Sequence, residues 1–225
     1  MRVIVTGGTG YLGRPLIRRL TQRGHRVRAL VRAGSEGKVP AGAEAVAVDL
    51  FSEAGYQSAL DRGDTVVHLL GTPRPAPWKS RQFRSVDLPA ATAAIAGAAA
   101  GGAGHFVYVS VAHPAPVMKS YIAVRLSCED ALRASGLAAT VLRPWYVLGP
   151  GHWWPSVLIP AYRLMEAVPA TRDQALRLGL VSHDEMLDAL EWSVENPNKN
   201  GSRVLDVAGI RGIAAERQAV RLSQE

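Results

Sequence analysis

The sequence has a single cysteine, Cys128, among 225 residues. That excludes an internal disulfide and any thiolate zinc cluster, and it suits a reducing, cytoplasmic setting. Acid is also scarce: 19 Asp and Glu stand against 26 Lys and Arg, a formal charge of +7. Such a balance suits an anionic ligand without naming it. No uninterrupted run of about 18 strongly apolar residues occurs, so no membrane span is expected. The opening MRVIV runs straight into a strand-like stretch with no signal-peptide pattern. The six histidines show no metal spacing and no H-E-x-x-H occurs, so no metal is expected. No internal repeat is visible.

What is present is a globular composition, 48% hydrophobic and 20% charged. The length suits one domain, or one plus a small appendage. Strands are expected at Arg2–Thr6, His25–Val31, Glu44–Val48, Thr65–Leu70, His105–Val109, Ala139–Leu142 and Arg203–Val207. A helix with Leu12, Leu16 and Leu20 at a spacing of four follows the first strand and ends at Gly24. Further helices are expected at Val86–Ala100, at Ser120–Ala134 closed by Gly136, from the capping box Ser182-His-Asp-Glu185 to Glu195, and at Ile210–Arg221. The alternation argues for an α/β fold, a doubly wound parallel sheet with helices on both faces.

Two stretches read as long functional loops. Gly71–Arg84 holds three prolines and the bases Arg74, Lys79, Arg81 and Arg84, with no acid. Arg143–Ser156 holds Trp145, Trp153 and Trp154; with Trp78, the two stretches carry four of the five tryptophans.

The strongest motif is Thr6-Gly-Gly-Thr-Gly-Tyr-Leu-Gly13. Gly7 allows a tight turn out of the strand, Gly10 lets a pyrophosphate approach the backbone, and Gly13 lets helix and sheet pack closely. The helix start then offers N–H donors to phosphate. In a doubly wound sheet the strand ends at Gly7, Arg32, Asp49, Gly71, Ser110 and Arg143-Pro144 converge on one crevice.

TGGTGYLG resembles the TGGTGFIG signature of the short-chain dehydrogenase/reductase superfamily. The chain is similar to its extended and atypical branches, the NAD(P)-binding epimerase/dehydratase and NmrA-like proteins, from Met1 to about Pro197. Val67-His-Leu-Leu-Gly71, Val107-Tyr-Val-Ser110 and Leu142-Arg-Pro-Trp-Tyr-Val-Leu-Gly-Pro-Gly151 look like the family's fourth-strand end, fifth-strand end and nicotinamide-lining segment. The resemblance implies a Rossmann fold with a small C-terminal cap from about residue 150. It implies cofactor contacts at Gly7, Thr9, Gly10, Tyr11, Leu12, Gly13, Asp49, Leu50, Leu70, Gly71, Thr72, Pro144, Trp145 and Val147. Asp49 reads equally well as a turn-initiating aspartate.

Arg32 stands where NAD enzymes commonly place an acid, with Arg28 and Ser35 near. An arginine pairs with a 2′-phosphate and an acid repels it. NADP is therefore the expected cofactor, with NAD left open. The resemblance also implies Ser110, Tyr121 and a lysine four residues later as catalytic residues. Here that residue is Arg125, on the same helical face as Tyr121. Tyr121 and Arg125 could form an unusual catalytic pair, Arg125 could serve the cofactor alone, or the site could be silent. Cys128 shares that face and reads as a small buried hydrophobe.

Three functional readings follow. The first is an NADP-dependent oxidoreductase, or an epimerase/dehydratase-like enzyme, of a small carbonyl or hydroxyl substrate. The second is a non-catalytic dinucleotide-binding sensor or structural subunit. The third, nucleic acid or an anionic membrane, is least favoured, because the charge is scattered apart from Gly71–Arg84 and no nucleic-acid motif appears. A homodimer through the helices Val86–Ala100 and Ser120–Ala134 is an open reading; the alanines of the first would serve packing on its own sheet equally well.

Overall fold

The computed structural model describes residues 1–149 and 177–223. Trp153, Trp154 and residues 150–176, the first part of the expected cap, lie outside the described residues.

The chain opens with β1 (Arg2–Thr6), α1 (Gly13–Gln22), β2 (Arg26–Val31), β3 (Glu44–Ala47), α2 (Glu53–Ala59) and β4 (Thr65–His68). It continues with α3 (Leu88–Ala100), β5 (His105–Val109), α4 (Lys119–Ala134), β6 (Ala139–Leu142) and β7 (Tyr146–Leu148). It closes with β8 (Leu180–Ser182), α5 (His183–Glu195), β9 (Ser202–Leu205) and α6 (Val207–Leu222). The main sheet has the order β3-β2-β1-β4-β5-β6-β9, with every pair parallel. The order reverses between β1 and β4, which places a ligand crevice at the carboxyl ends of those strands.

The central strands are apolar on both faces because both are covered. On one face Ile4, Val66, Phe106 and Tyr108 pack against α2, α3 and α4. On the other, Val3, Val5, Val67 and Val107 pack against α1, α5 and α6. The alanines of α3 are used inside the fold: a Cβ on Gly97 would lie 2.5 Å from Tyr56 Cβ, so α2 and α3 touch backbone to side chain.

Several expectations need correction. The stretch Gly71–Arg84 is not structureless: a 3-10 turn starts at Pro77, Ser80–Gln82 forms one α-turn, and a π-turn at Phe83–Asp87 runs into α3. Pro77 sits at the first turn, where its missing N–H costs nothing. The short helix α2 was not foreseen. Nor was the separate parallel pair β7–β8.

The α1 helix is bound to α5 and α6 by an arginine–carboxylate seam. Arg19 and Arg221 hold Asp188, and Arg23 and Arg217 hold Glu191 and Glu195. Burial pushes the Asp188 and Glu195 carboxyls up, but their arginine bonds outweigh it and hold both below the usual carboxylate range. His68 and His105 are held neutral by burial, lowered from 6.5 to about 3 and about 4. The unfolded chain takes up protons at these histidines below 6.5 while the folded chain does not, so stability falls as pH drops through that window. The seam's contribution is complete above the ordinary carboxylate range and is lost as pH falls through the lowered folded values. Urea midpoints should therefore decline in two stages on acidification, and Asp188→Asn should blunt only the more acidic one.

Candidate functional site

The glycine loop sits at the head of the crevice. Gly7 has φ +69°, and a Cβ there would lie 2.7 Å from the Leu69 carbonyl. Gly10 N–H donates to Gly7 O at 2.9 Å. A Cβ on Gly13 would overlap Gly7 O and Gly8 Cα, so the loop folds against the helix start only with glycine there. No side chain caps α1; Arg14 N–H donates to Gly10 O and Pro15 has no N–H, so the N–H groups of Leu12 and Gly13 are the ones left to meet an anion. Thr9 and Leu12 are both half-buried. The Tyr11 ring packs on His183, centroids 4.6 Å apart, and the His183 Nε2–Tyr11 O contact is 3.2 Å. These residues fit a dinucleotide pyrophosphate.

Arg32 is exposed at the end of β2. Its carbonyl accepts from the buried Ser35 N–H. Arg14, in the first turn of α1, donates to Lys38 O at 3.1 Å, so a second guanidinium stands on the same loop. Sequence reasoning missed Arg14, although its place one residue after Gly13 was a usable signal. Arg28 is not part of this site: it binds Glu44 and Ala59 O beside β3. Asp49 forms a turn, its Oδ1 accepting from Phe51 N–H at 2.9 Å. The Leu50 side chain goes into the core, leaving its backbone for any ligand.

At the far end of the crevice, α4 ties three loops together through one buried and one part-buried ion pair. Arg125 Nη2 donates to Asp87 Oδ1 at 2.9 Å. Asp87 Oδ2 accepts from the N–H and hydroxyl of Thr72. A Cβ on Gly71 would lie 2.7 Å from Arg125 Nη2, so this pair forms the floor beneath Gly71. Four residues along α4, Glu129 accepts from the Ser110 hydroxyl and from Arg143 Nε and Nη2. The loops after β4, β5 and β6 are thus held by one helix.

Arg125 also donates to the Tyr108 hydroxyl and to Val109 O. Burial works against its charge, but Tyr108, Tyr121 and Asp87 outweigh that and keep the guanidinium protonated. It lies over the Tyr121 ring, 5.0 Å from the centroid, and Phe83 packs on that ring at 4.9 Å. Tyr121 and Arg125 therefore meet face to cation. Burial pushes the Cys128 thiol up, against the pull of Tyr108 and Arg125, so Cys128 is an inert core residue as expected.

Leu70 is half-buried and Pro144 buried, its carbonyl accepting from Ala112 N–H. Trp145 and Val147 pack against the α1/α5 core. Trp78 points elsewhere: it is 82% exposed. Asp87 and Glu129 were missed by sequence reasoning. Glu129 had a signal, since it follows Tyr121 and Arg125 at the same spacing of four.

A family described as NAD(P)H-binding matches residues 7–150, from the first glycine of the loop through the crevice. The chain belongs to this NAD(P)H-binding family. It is 34% identical over 153 residues to the ceramide reductase of Caulobacter vibrioides, covering 66% of this chain and 47% of that protein. It is 29% identical over 177 residues to a 3-diazoavenalumate denitrifying reductase of a Streptomyces species, covering 67% and 58%. The chain thus spans about half the length of the curated relatives it matches. Among solved structures, UDP-N-acetylglucosamine 4-epimerase from Bacillus cereus matches with a TM-score of 0.67 at 17% identity, over 94% of this chain and 83% of that one. A short-chain dehydrogenase/reductase superfamily protein from Agrobacterium tumefaciens with bound NAD matches with a TM-score of 0.64 at 18% identity, over 94% and 81%. The expected Rossmann fold is borne out, and both of these structures share it. Among the described residues no helix is long and apolar enough to cross a membrane, and no cluster of metal-ligating side chains occurs.

Proposed function

We propose that the chain is an NADP-dependent oxidoreductase acting on a small carbonyl or hydroxyl substrate. The observation that carries the cofactor choice is the pair of guanidiniums, Arg14 and Arg32, on the loop after β2. The Gly7–Gly13 turn would hold the pyrophosphate, with Thr9, Tyr11 and Leu12 around it. Asp49 and Leu50 would border the adenine, and Leu70, Gly71, Thr72, Pro144, Trp145 and Val147 the nicotinamide end. A bound nicotinamide supplies hydride exchange. Tyr121 would hand a proton to the substrate oxygen or take one from it, with Arg125 biasing the ring from its face. Ser110 spends its own proton on Glu129, so toward a substrate it offers lone pairs. The chain would form one domain, with β9, α5 and α6 in the main sheet and its covering layer rather than in a cap. A reductase relative whose name includes ceramide favours an apolar substrate. A cytoplasmic location accords with the one buried, free cysteine.

A specific observation favours a second reading, a non-catalytic NADP-binding sensor or structural subunit. The Arg125 bonds run to Asp87, Tyr108 and Val109 O, and its cation lies on the Tyr121 ring rather than at a hydrogen bond to its hydroxyl. NADPH oxidation over a carbonyl panel separates the two readings. Turnover that falls at least about hundredfold in Tyr121→Phe supports the enzyme. Binding of NADPH with no turnover supports the sensor. For the cofactor choice, Arg32→Ala should weaken NADPH about tenfold or more while leaving NADH nearly unchanged, read by calorimetry. Equal losses for both would remove Arg32 from 2′-phosphate recognition. A homodimer through the outward faces of α3 and α4 is tested by sedimentation velocity; a monomer at high concentration would reject it.

A further inference from the structure

The segment between Thr72 and Phe83 links two residues that help to build the crevice, and its Pro77–Lys79 turn lies against α4. Thr72 is fastened to Asp87, and Phe83 is buried against Tyr121. Between them Trp78 projects with 82% of its surface exposed, the most exposed large apolar side chain among the described residues. Lys79 turns back to bond Pro73 O at 2.7 Å, which stiffens the turn carrying Trp78. Arg74, Arg81 and Arg84 are exposed, with no partner among the described residues, and no acid occurs from Gly71 to Val86. Ser80, Arg81, Arg84 and Ser85 line one cleft of about 370 Å³. Arg81 and Arg84 are three apart on a helical turn, so both border the same space.

An aromatic indole beside free cations has a specific affinity for one environment. Tryptophan settles at the boundary of a bilayer, with its ring among the upper acyl chains and its N–H among polar groups. Arginine is drawn to an anionic leaflet and can fork onto phosphate oxygens. A single-stranded nucleic acid would need a row of aromatic rings along a basic groove, and Trp78 stands alone. A lid closing on the crevice would turn its apolar side inward, whereas Trp78 points into solvent while both ends are already fastened.

We infer that Trp78 and the Ser80–Arg81–Arg84–Ser85 cleft form a docking site for an anionic bilayer surface: the cleft takes a phospholipid phosphate and Trp78 enters the headgroup boundary beside it. This places the mouth of the crevice, through Thr72 and Phe83, next to a lipid surface. It stands apart from the cofactor reading, since none of these side chains belongs to the proposed dinucleotide site.

The test is co-sedimentation of the full chain with vesicles of phosphatidylcholine, with and without about one-third phosphatidylglycerol, at low salt. The bound fraction should rise at least about fivefold with the anionic lipid and vanish near half-molar salt. Trp78→Ala and the double variant Arg81→Ala/Arg84→Ala should each lose most of that binding while keeping wild-type thermal stability and NADPH affinity. A blue shift of tryptophan emission on vesicle addition should be absent from Trp78→Ala. Equal binding to neutral and anionic vesicles, no binding to either, or undiminished binding by both variants would overturn the proposal. So would binding to a single-stranded oligonucleotide in the absence of vesicle binding. Release from vesicles by inorganic phosphate at matched ionic strength would mean a site for small anions instead. Loss of NADPH binding in the wild-type protein, with vesicle binding intact, would sink the cofactor reading and leave this one standing.

Discussion

Asp87→Ala should destabilise the folded chain by about 3–5 kcal/mol, the usual cost of removing one partner from a buried ion pair. Asp87 is fully buried and Arg125 nearly so, and water cannot replace the lost carboxylate. The alanine also strips the N–H and hydroxyl of Thr72 of their shared acceptor. Three buried donors would be left without partners, which places this change among the largest a single substitution can cause. Denaturant unfolding monitored by circular dichroism measures it. Leaving an uncompensated charge is the cause, so Asp87→Leu combined with Arg125→Met should recover much of the loss. A cost under about 1 kcal/mol would show that the pair is not closed to water.

Gly13→Ala should remove saturable dinucleotide binding, a fall of at least about hundredfold, or about 2.7 kcal/mol. The new Cβ would fall on Gly7 O and Gly8 Cα, and these are backbone atoms of the same tight turn. The turn must open, and the N–H groups that face phosphate open with it. Gly212→Ala is the control. Gly212 lies in α6 with nothing within 4 Å of the new methyl. That change should stabilise the chain by up to about 1 kcal/mol and leave binding alone. Calorimetry and thermal melts of the two variants separate loop collapse from a general effect of added bulk.

The crevice was legible because each strand signals its own end. Apolar runs stop at Thr6, Val31, Ala47, His68, Val109 and Leu142, and parallel pairing brings these ends to one edge of the sheet. The elements that escaped did so for physical reasons. In α2, Gly55 reads as a helix breaker, yet a Cβ there would lie 2.5 Å from Asp49 O, so glycine serves close packing. Three prolines hid the helical turns from Pro77, because proline at a first turn looks the same in sequence as proline in a loop. The strands β7 and β8 are three residues each, too short for alternation to register. The ion pairs were invisible for a different reason. Asp87 and Arg125 are 38 residues apart, and only the fold brings them together. Without Asp87 in view, Arg125 reads as a free cation beside a tyrosine; with it, the same side chain is the floor of a loop.

The central claim is that the crevice at the β1–β4 reversal takes NADP. A calorimetric titration of NADPH into the purified chain tests it most directly. The account predicts saturable binding of one NADPH per chain, at least about tenfold tighter than NADH. No heat of binding for either dinucleotide would contradict the claim at its root, and tighter binding of NADH would contradict the role given to Arg14 and Arg32.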